Sequence, residues 1–284
     1  MAVVNTNIAS SVAQAALAKN ERSLNTAMEQ LSTGKRINSA ADDSSGLAIS
    51  ARMTSQIRGL ETSVRNANDA ISMVNTAEGA LDEITEMLQR IRELAVQSGT
   101  GTTHADDRTY LDAEFNALRT EIERVASNTE WNGAKILDGA AGNGSLVTFQ
   151  VGVDGGQTVG VTFSDMSNAG AMASLNGGAV GLNGTTASAG IAMAASVITI
   201  TDIAIAAVSS QRADFGATTN RLTHAVDNLT NVKTNAEASR SQILDTDYAA
   251  ATAELARTQI IQQAGTAMLA QANQLPQGVL ALLQ

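Results

Sequence analysis

Between Gly46 and Ser98 the chain runs without a proline while apolar residues return on one face: Leu81, Ile84, Leu88, Ile91 and Ala95. Steps of three and four place them in one seam of a helix laid along a partner helix and argue against a strand. If continuous, a helix of roughly 53 residues runs about 80 Å, several times an ordinary globular helix. It needs a second helix to cover its stripe. That partner lies later in the chain. Helical pattern resumes near Ser196, and Val208, Phe215, Leu222 and Leu229 stand seven apart with Val226 and Val232 beside them, proline-free to about Arg240.

Upstream, Val4, Ile8 and Val12 lead into Leu17, Leu24 and Leu31, seven apart, with Ala27 and Met28 between. This narrow amphipathic helix stops near Ser32-Thr33-Gly34, because glycine favours a helix C-terminus. Asp42 to Ser45 supply N-cap candidates for the long helix. Beyond Ser98, Gly99 to Thr103 reads as a turn, and Leu111, Phe115, Leu118, Ile122 and Val125 as an antiparallel return helix. The period then changes. Asn132-Gly133 and Asp138-Gly139 are hairpin-turn signals, and Leu146–Val153 and Val159–Phe163 alternate around Asp154-Gly155-Gly156. Residues 165–195, rich in Gly, Ala, Ser and Asn, are expected to form an exposed loop or short turns. Ile261, Ala264, Met268, Ala272 and Leu275 form a last narrow stripe, expected to stop at Pro276. Apolar Val279, Leu280, Leu282 and Leu283 follow.

The expected fold is therefore mostly α: long antiparallel helical rods or coiled coil, paired terminal helices, and a small β-hairpin region at the tip. The expected domains are a discontinuous terminal-helix domain, 1–43 with 245–284, and a rod domain, 44–244. The rod domain carries β-hairpins at about 131–163 and a variable loop at about 165–195. The terminal assembly stripe comprises Leu17, Leu24, Met28, Leu31, Ile261, Ala264, Met268, Leu275 and Leu280. It is too thin for a core, so the ends are expected to order only on packing with each other and with other copies.

Aromatics make up 2% of the chain against 44% hydrophobic residues, a balance that suits thin bundles. A net charge of −10 argues against nucleic acid, whose binding needs clustered Lys and Arg. The absence of cysteine excludes disulfides and thiolate metal sites. The N-terminus lacks a basic segment followed by an apolar run, so no Sec-type signal peptide is expected. No stretch of about 20 apolar residues is expected to span a bilayer. His104 and His224 are the only histidines and lack metal-site spacing. Leu31 to Lys35 lacks the first glycine of a phosphate loop and follows a helix. Asp42-Asp43 and Asp106-Asp107 read as caps or solvated acids, and no serine shows a triad. The expectation is no enzyme, no cofactor and no metal.

Gln89, Arg90, Glu93, Leu94 and Gln97 fall outside the Leu88/Ile91/Ala95 stripe, and Glu114 lies off that of Leu111/Phe115/Leu118. In an isolated protein such residues form a solvated face. In an assembly they become a contact patch.

Several motifs stand together: Asn5-Thr6-Asn7, Leu31 through Ala40, Asp42-Asp43 with Gly46-Leu47-Ala48-Ile49, and Leu88 through Ser98. Trp131 through Gly139, Gln262-Gln263-Ala264-Gly265 and Ala270 through Gln274 follow in order. In these the chain resembles bacterial flagellin over nearly its whole length apart from about 165–195. The resemblance implies a structural subunit that polymerises into the bacterial flagellar filament for swimming motility. Its terminal helices would line the filament core, its long helices the surrounding tube, and its middle the outer surface, with no additional outer domains. It further implies an extracellular protein exported unfolded through the flagellar type III apparatus, without a cleaved signal peptide. The implied partners are other copies of the chain, hook-junction and filament-cap proteins, a flagellar export chaperone, and a vertebrate Toll-like receptor. Nucleic acid and membrane are not among them. Arg90, Leu94 and Glu114 match the family's receptor-contacting pattern. A hook–filament junction protein shares related terminal helices, but the central helical motif and Trp131–Gly139 favour flagellin. An adhesin using coiled coil as a stalk is the alternative from another class.

Overall fold

The computed structural model describes residues 7–167, 170–177, 180–184 and 186–281. Five helices account for most of it: α1 (Ile8–Thr33), α2 (Ser44–Ser98), α3 (Ala105–Asn128), α4 (Ala187–Leu244) and α5 (Tyr248–Ala281). Strands β1 (Glu130–Trp131) and β2 (Ala134–Lys135) pair antiparallel, as do β3 (Leu146–Gln150) and β4 (Thr158–Thr162). The fold class is the mostly helical one expected from the sequence. Val4, Leu282 and Leu283 lie outside the described residues. The chain divides into two compact units, 1–57 with 234–284, and 58–233.

Helix ends follow local chemistry. Gly34 closes α1 at φ +69°, and its N–H returns to the Gln30 carbonyl at 2.9 Å. A left-handed residue at this position favours glycine. Asp43 opens α2, its Oδ1 accepting from the Gly46 N–H at 2.8 Å. The carbonyls left free where α2 ends are met by Arg108, which is 1% exposed and donates to Ser98 O at 3.1 Å and Thr100 O at 3.2 Å.

Two boundaries differ from expectation. Helix α4 begins at Ala187, well before Ser196. Its first turns carry small residues that a large-residue period does not mark, and Gly190 lies against Arg108 so closely that an added Cβ would come within 2.8 Å. Helix α5 runs through Pro276 to Ala281 instead of stopping there. A proline removes one helical N–H, here the one that would reach the Ala272 carbonyl. Asn7 Nδ2 donates to that carbonyl at 2.8 Å.

In the unit of 58–233, Leu81, Ile84, Leu88, Ile91 and Ala95 are fully buried in one core with Phe115 and Ile122 of α3 and Ala194, Val197, Ala204, Val208 and Phe215 of α4. Arg92 meets Asp202 at 2.7 Å and Arg212 meets Asp82 at 2.9 Å, which sets α2 and α4 antiparallel. Within Ser188–Leu244 a window reaches a mean hydropathy of 2.1, long and apolar enough by composition to cross a membrane, which corrects the sequence expectation. Ala, Ile and Val crowd this part of α4. Its inward row, Ala194, Val197, Ala204 and Val208, serves the core, while Ile191 and Ile203 stay exposed.

The β3–β4 hairpin lies along the flank of these helices, not beyond their ends. Asn66 Nδ2 donates to Gln150 O at 3.0 Å, and Gln211 Nε2 donates to Thr162 O at 2.7 Å. The Phe163 and Phe215 rings stand 5.2 Å apart. The shorter β1–β2 pair turns through Asn132 and Gly133, both at positive φ, as the Asn-Gly signal predicts. The segment expected as an exposed loop or short turns does contain turns and a 3-10 helix, Ala173–Asn176, but it is anchored: Met166, Met172, Leu175 and Leu182 are buried. The Leu182 N–H donates to Asp112 Oδ1 at 2.7 Å, and its carbonyl accepts from Ser98 Oγ at 3.2 Å. A buried backbone needs such partners where no regular ladder supplies them.

Candidate functional site

In the unit of 1–57 and 234–284, α1 and α5 pair antiparallel. Ser10, Asn20, Leu24 and Ala27 of α1 are buried, with Ala13, Leu17 and Leu31 half-buried; on α5 Ala251, Thr258 and Ala272 are buried, with Leu255, Gln262, Gly265 and Leu269 half-buried. Each set repeats in steps of three and four, the pattern of a heptad seam. Its residues are mostly small or polar, so the helices approach closely. Asn20 Nδ2 donates to Thr258 O at 2.8 Å, and a Cβ added at Gly265 would lie 3.1 Å from Leu17 Cδ1. The linkers flanking the pair are themselves joined: the Arg36 N–H donates to Leu244 O at 2.7 Å and the Thr246 N–H to Gly34 O at 3.0 Å. In the loop before α2, Asp42 Oδ2 accepts from the Ser39 N–H at 2.8 Å, the Asn38 N–H at 3.1 Å and Ser39 Oγ at 3.1 Å. These bonds, the Ser39 amide foremost, hold its carboxyl below the usual range.

The residues of the terminal stripe divide between the two faces of this pair. Leu24 is buried, and Leu17 and Leu31 are half-buried. Met28, Ile261, Ala264 and Met268 are exposed, Met268 to 66%. Helix α5 passes through Leu275 and Leu280, whose side chains lie outside the described residues. A groove of about 640 Å³ opens on the outer face, lined by Ile8, Val12, Leu17, Ile261, Gly265 and Met268. Ile8 and Val12 are more than half exposed. Sequence reasoning missed the buried Ser10, Asn20 and Thr258 as seam residues. Their three-and-four spacing was the available signal, masked by their polarity.

The second patch lies on α2 and α3. Arg90 Nε donates to Glu114 Oε1 at 2.8 Å and Arg90 Nη1 to Glu93 Oε2 at 3.0 Å. The bond to Glu114, then that to Glu93, raises the already high pKa of the guanidinium. Gln89, Glu93 and Gln97 are exposed and line, with Arg92, Val96 and Thr100, a groove of about 530 Å³. Leu94 does not belong to this face. It is 0% exposed and sits in the core with Ile91 and Ala95. Helix α2 buries residues against both α3 and α4, so its inward arc is wider than a single heptad stripe and takes in Leu94 and Ser98.

Among the described residues no group of three or more His, Asp or Glu side chains could hold a metal ion. The constellation is one of long helices, a close-packed terminal pair and exposed apolar and charged faces. It defines a helical structural protein.

The N-terminal helical region of bacterial flagellin matches residues 4–141, and its C-terminal helical region matches residues 198–283. Flagellin A of Vibrio anguillarum is 36% identical over 378 aligned positions, covering 99% of both chains. The flagellin of Halalkalibacterium halodurans is 44% identical over 258, covering 91% of both. Among solved structures, Bacillus cereus flagellin superposes with a TM-score of 0.50 at 33% identity, covering 58% of this chain and 88% of that one. A putative flagellar hook-associated protein from Vibrio parahaemolyticus, 14% identical, shares the fold with a TM-score of 0.61 over 72% of this chain and all of that one. The chain belongs to the bacterial flagellin family. It is a structural subunit of the flagellar filament, an extracellular homopolymer, and not an enzyme.

Proposed function

We propose that filament growth and ordering of the terminal helices are one event. The observation that carries this is the exposed apolar groove between α1 and α5, with Ile8, Val12, Ile261 and Met268 uncovered in a single chain. Identical subunits related by a rotation that does not close bury such faces along an open helix. Each Å² of apolar surface removed from water contributes about 25 cal/mol, offset by the entropy of ordering the ends. On this reading 1–43 with 245–284 form the filament core and 44–244 the layer around it, without additional outer domains. A chain whose ends stay loose before assembly suits unfolded passage through a type III apparatus. An export chaperone would hold the C-terminal helix, and hook-junction and cap proteins would meet the same seam at the filament ends.

The test is electron microscopy of purified monomer seeded with short filament fragments, beside a chain lacking 276–284. Long filaments from the full chain and none from the truncation are expected. Normal filaments from the truncation overturn the proposal. A second reading concerns Gln89, Arg90, Glu93, Gln97 and Glu114: this half-exposed, ion-paired face is proposed as the surface a vertebrate Toll-like receptor grips on the monomer, with Leu94 supporting it from beneath.

A further inference from the structure

The α1–α5 seam repeats every seven residues on both helices, with Ser10, Leu17, Leu24 and Leu31 on the seam side of α1 and, in antiparallel order, Ala272, Gly265, Thr258 and Ala251 on that of α5. A seam so regular, leucines of α1 against small residues of α5, can slide by one heptad, about 10.5 Å, and bury nearly the same surface. Asn20 does not prevent this. Its partner, the Thr258 carbonyl, belongs to unbroken helix, and one heptad away the amide would meet another carbonyl of the same kind.

One carbonyl of α5 is different. The chain has a single proline, Pro276, and it deprives the Ala272 carbonyl of its helical donor. Ala272 is 8% exposed, so water reaches that oxygen poorly. Asn7 fills the place: Nδ2 donates to Ala272 O at 2.8 Å, while Oδ1 accepts the Ser10 N–H at 3.0 Å and caps α1. One amide thus satisfies two helix defects at once, a free N–H at the start of α1 and a free carbonyl within α5.

We propose that Asn7 and Pro276 form a register lock, selecting one antiparallel alignment of α1 on α5 from the several that the heptads allow. The buried carbonyl penalises every alignment in which Asn7 does not reach it. The lock has a consequence for the outer face: it sets Ile8 and Val12 opposite Ile261 and Met268, and so determines the groove between them. It holds whether or not that groove is the surface on which filaments grow.

The cysteine-free chain makes the test direct. Leu17→Cys with Gly265→Cys reports the observed register under a short bifunctional thiol crosslinker. Leu17→Cys with Thr258→Cys, or with Ala272→Cys, reports a slip of one heptad either way. Within single subunits of assembled filaments, only the first pair should crosslink in the otherwise unaltered chain. Asn7→Ser keeps a capping oxygen but loses the amide donor, and should raise the slipped crosslinks about tenfold, the worth of one hydrogen bond. Pro276→Ala restores the missing N–H and should raise them similarly. The double variant should match Pro276→Ala alone, because nothing remains for Asn7 to satisfy. Slipped crosslinks that stay at the starting level in Pro276→Ala, or independent additive effects of the two substitutions, overturn the lock. If Asn7→Ser loses helicity, Pro276→Ala decides the matter, since every backbone group then has its donor.

Discussion

Arg108, in the first turn of α3, donates from Nε to the carbonyl of Ser98, the last residue of α2, at 3.1 Å. A second bond runs to Thr100 O at 3.2 Å. The guanidinium closes the end of a 55-residue helix from the inside, where the helix dipole favours a cation. Arg108→Met keeps the apolar stem but strands buried carbonyls, and should cost about 1–3 kcal/mol. Urea unfolding followed by circular dichroism measures it; an unchanged midpoint would show that water serves those carbonyls equally well.

Leu94 and Arg90 should separate stability from the proposed recognition. Leu94→Ala removes a fully buried side chain and should destabilise the monomer by about 2–5 kcal/mol. The double variant Arg90→Ala, Glu114→Ala removes only exposed ion pairs, Arg90–Glu114 and Arg90–Glu93, so its melting temperature should hold. Receptor signalling from that double variant should fall. Thermal melts beside a reporter-cell assay give both readouts, and full signalling from a stable double variant would refute the receptor surface.

Two glycines at positive φ should respond differently. Gly133, at φ +78° in the β1–β2 turn, has open space where a Cβ would go, so Gly133→Ala should cost only the left-handed backbone penalty, about 1–2 kcal/mol. Gly142, at φ +62°, would place a Cβ 2.3 Å from the Leu146 carbonyl oxygen. Gly142→Ala should therefore cost more than Gly133→Ala and loosen β3. Equal losses in denaturant midpoint would mean that the turn around Gly142 moves freely.

Asp42 gives the loop before α2 a pH dependence. Its carboxyl is held below the ordinary 3.8 by the amides of Ser39 and Asn38. A lowered folded-state pKa makes its contribution present above the unfolded value and lost as pH falls through the folded one. The Ser39 and Asn38 amides should stay protected from hydrogen exchange as pH falls through 3.8 and open only at the lowered folded-state value. In Asp42→Ala that protection should be missing at neutral pH as well.

Much of this fold was legible because large apolar residues mark their own period. Leu81 to Ala95 announced α2, Gly34 announced the end of α1, and Asn132-Gly133 announced its turn. The unread parts have a common cause. Gly190 and Ala194 carry too little side chain to show that α4 has begun at Ala187. Leu94 looks peripheral beside a single stripe, and only two flanking helices make it central. Pro276 reads as a stop because the donor that serves the Ala272 carbonyl, Asn7, lies 265 positions from Ala272. Of the terminal stripe, the leucines of α1 were found, but the polar residues that bring the helices together were not. Asn66 and Gln211, which seat the hairpin along the helices, are polar residues inside apolar patterns and gave no periodic signal.

The anchorage of Leu182 has a consequence for how this chain can vary. Asp112 and Ser98 hold its N–H and its carbonyl, groups that every residue except proline possesses in full. The grip therefore asks nothing of the outward-facing side chains, while Met166, Met172 and Leu175 keep their places in the core. Ser98 and Asp112, on helices that the core keeps fixed, act as a socket for main chain, and the outward text before α4 can be rewritten, shortened or lengthened while its point of attachment stays the same.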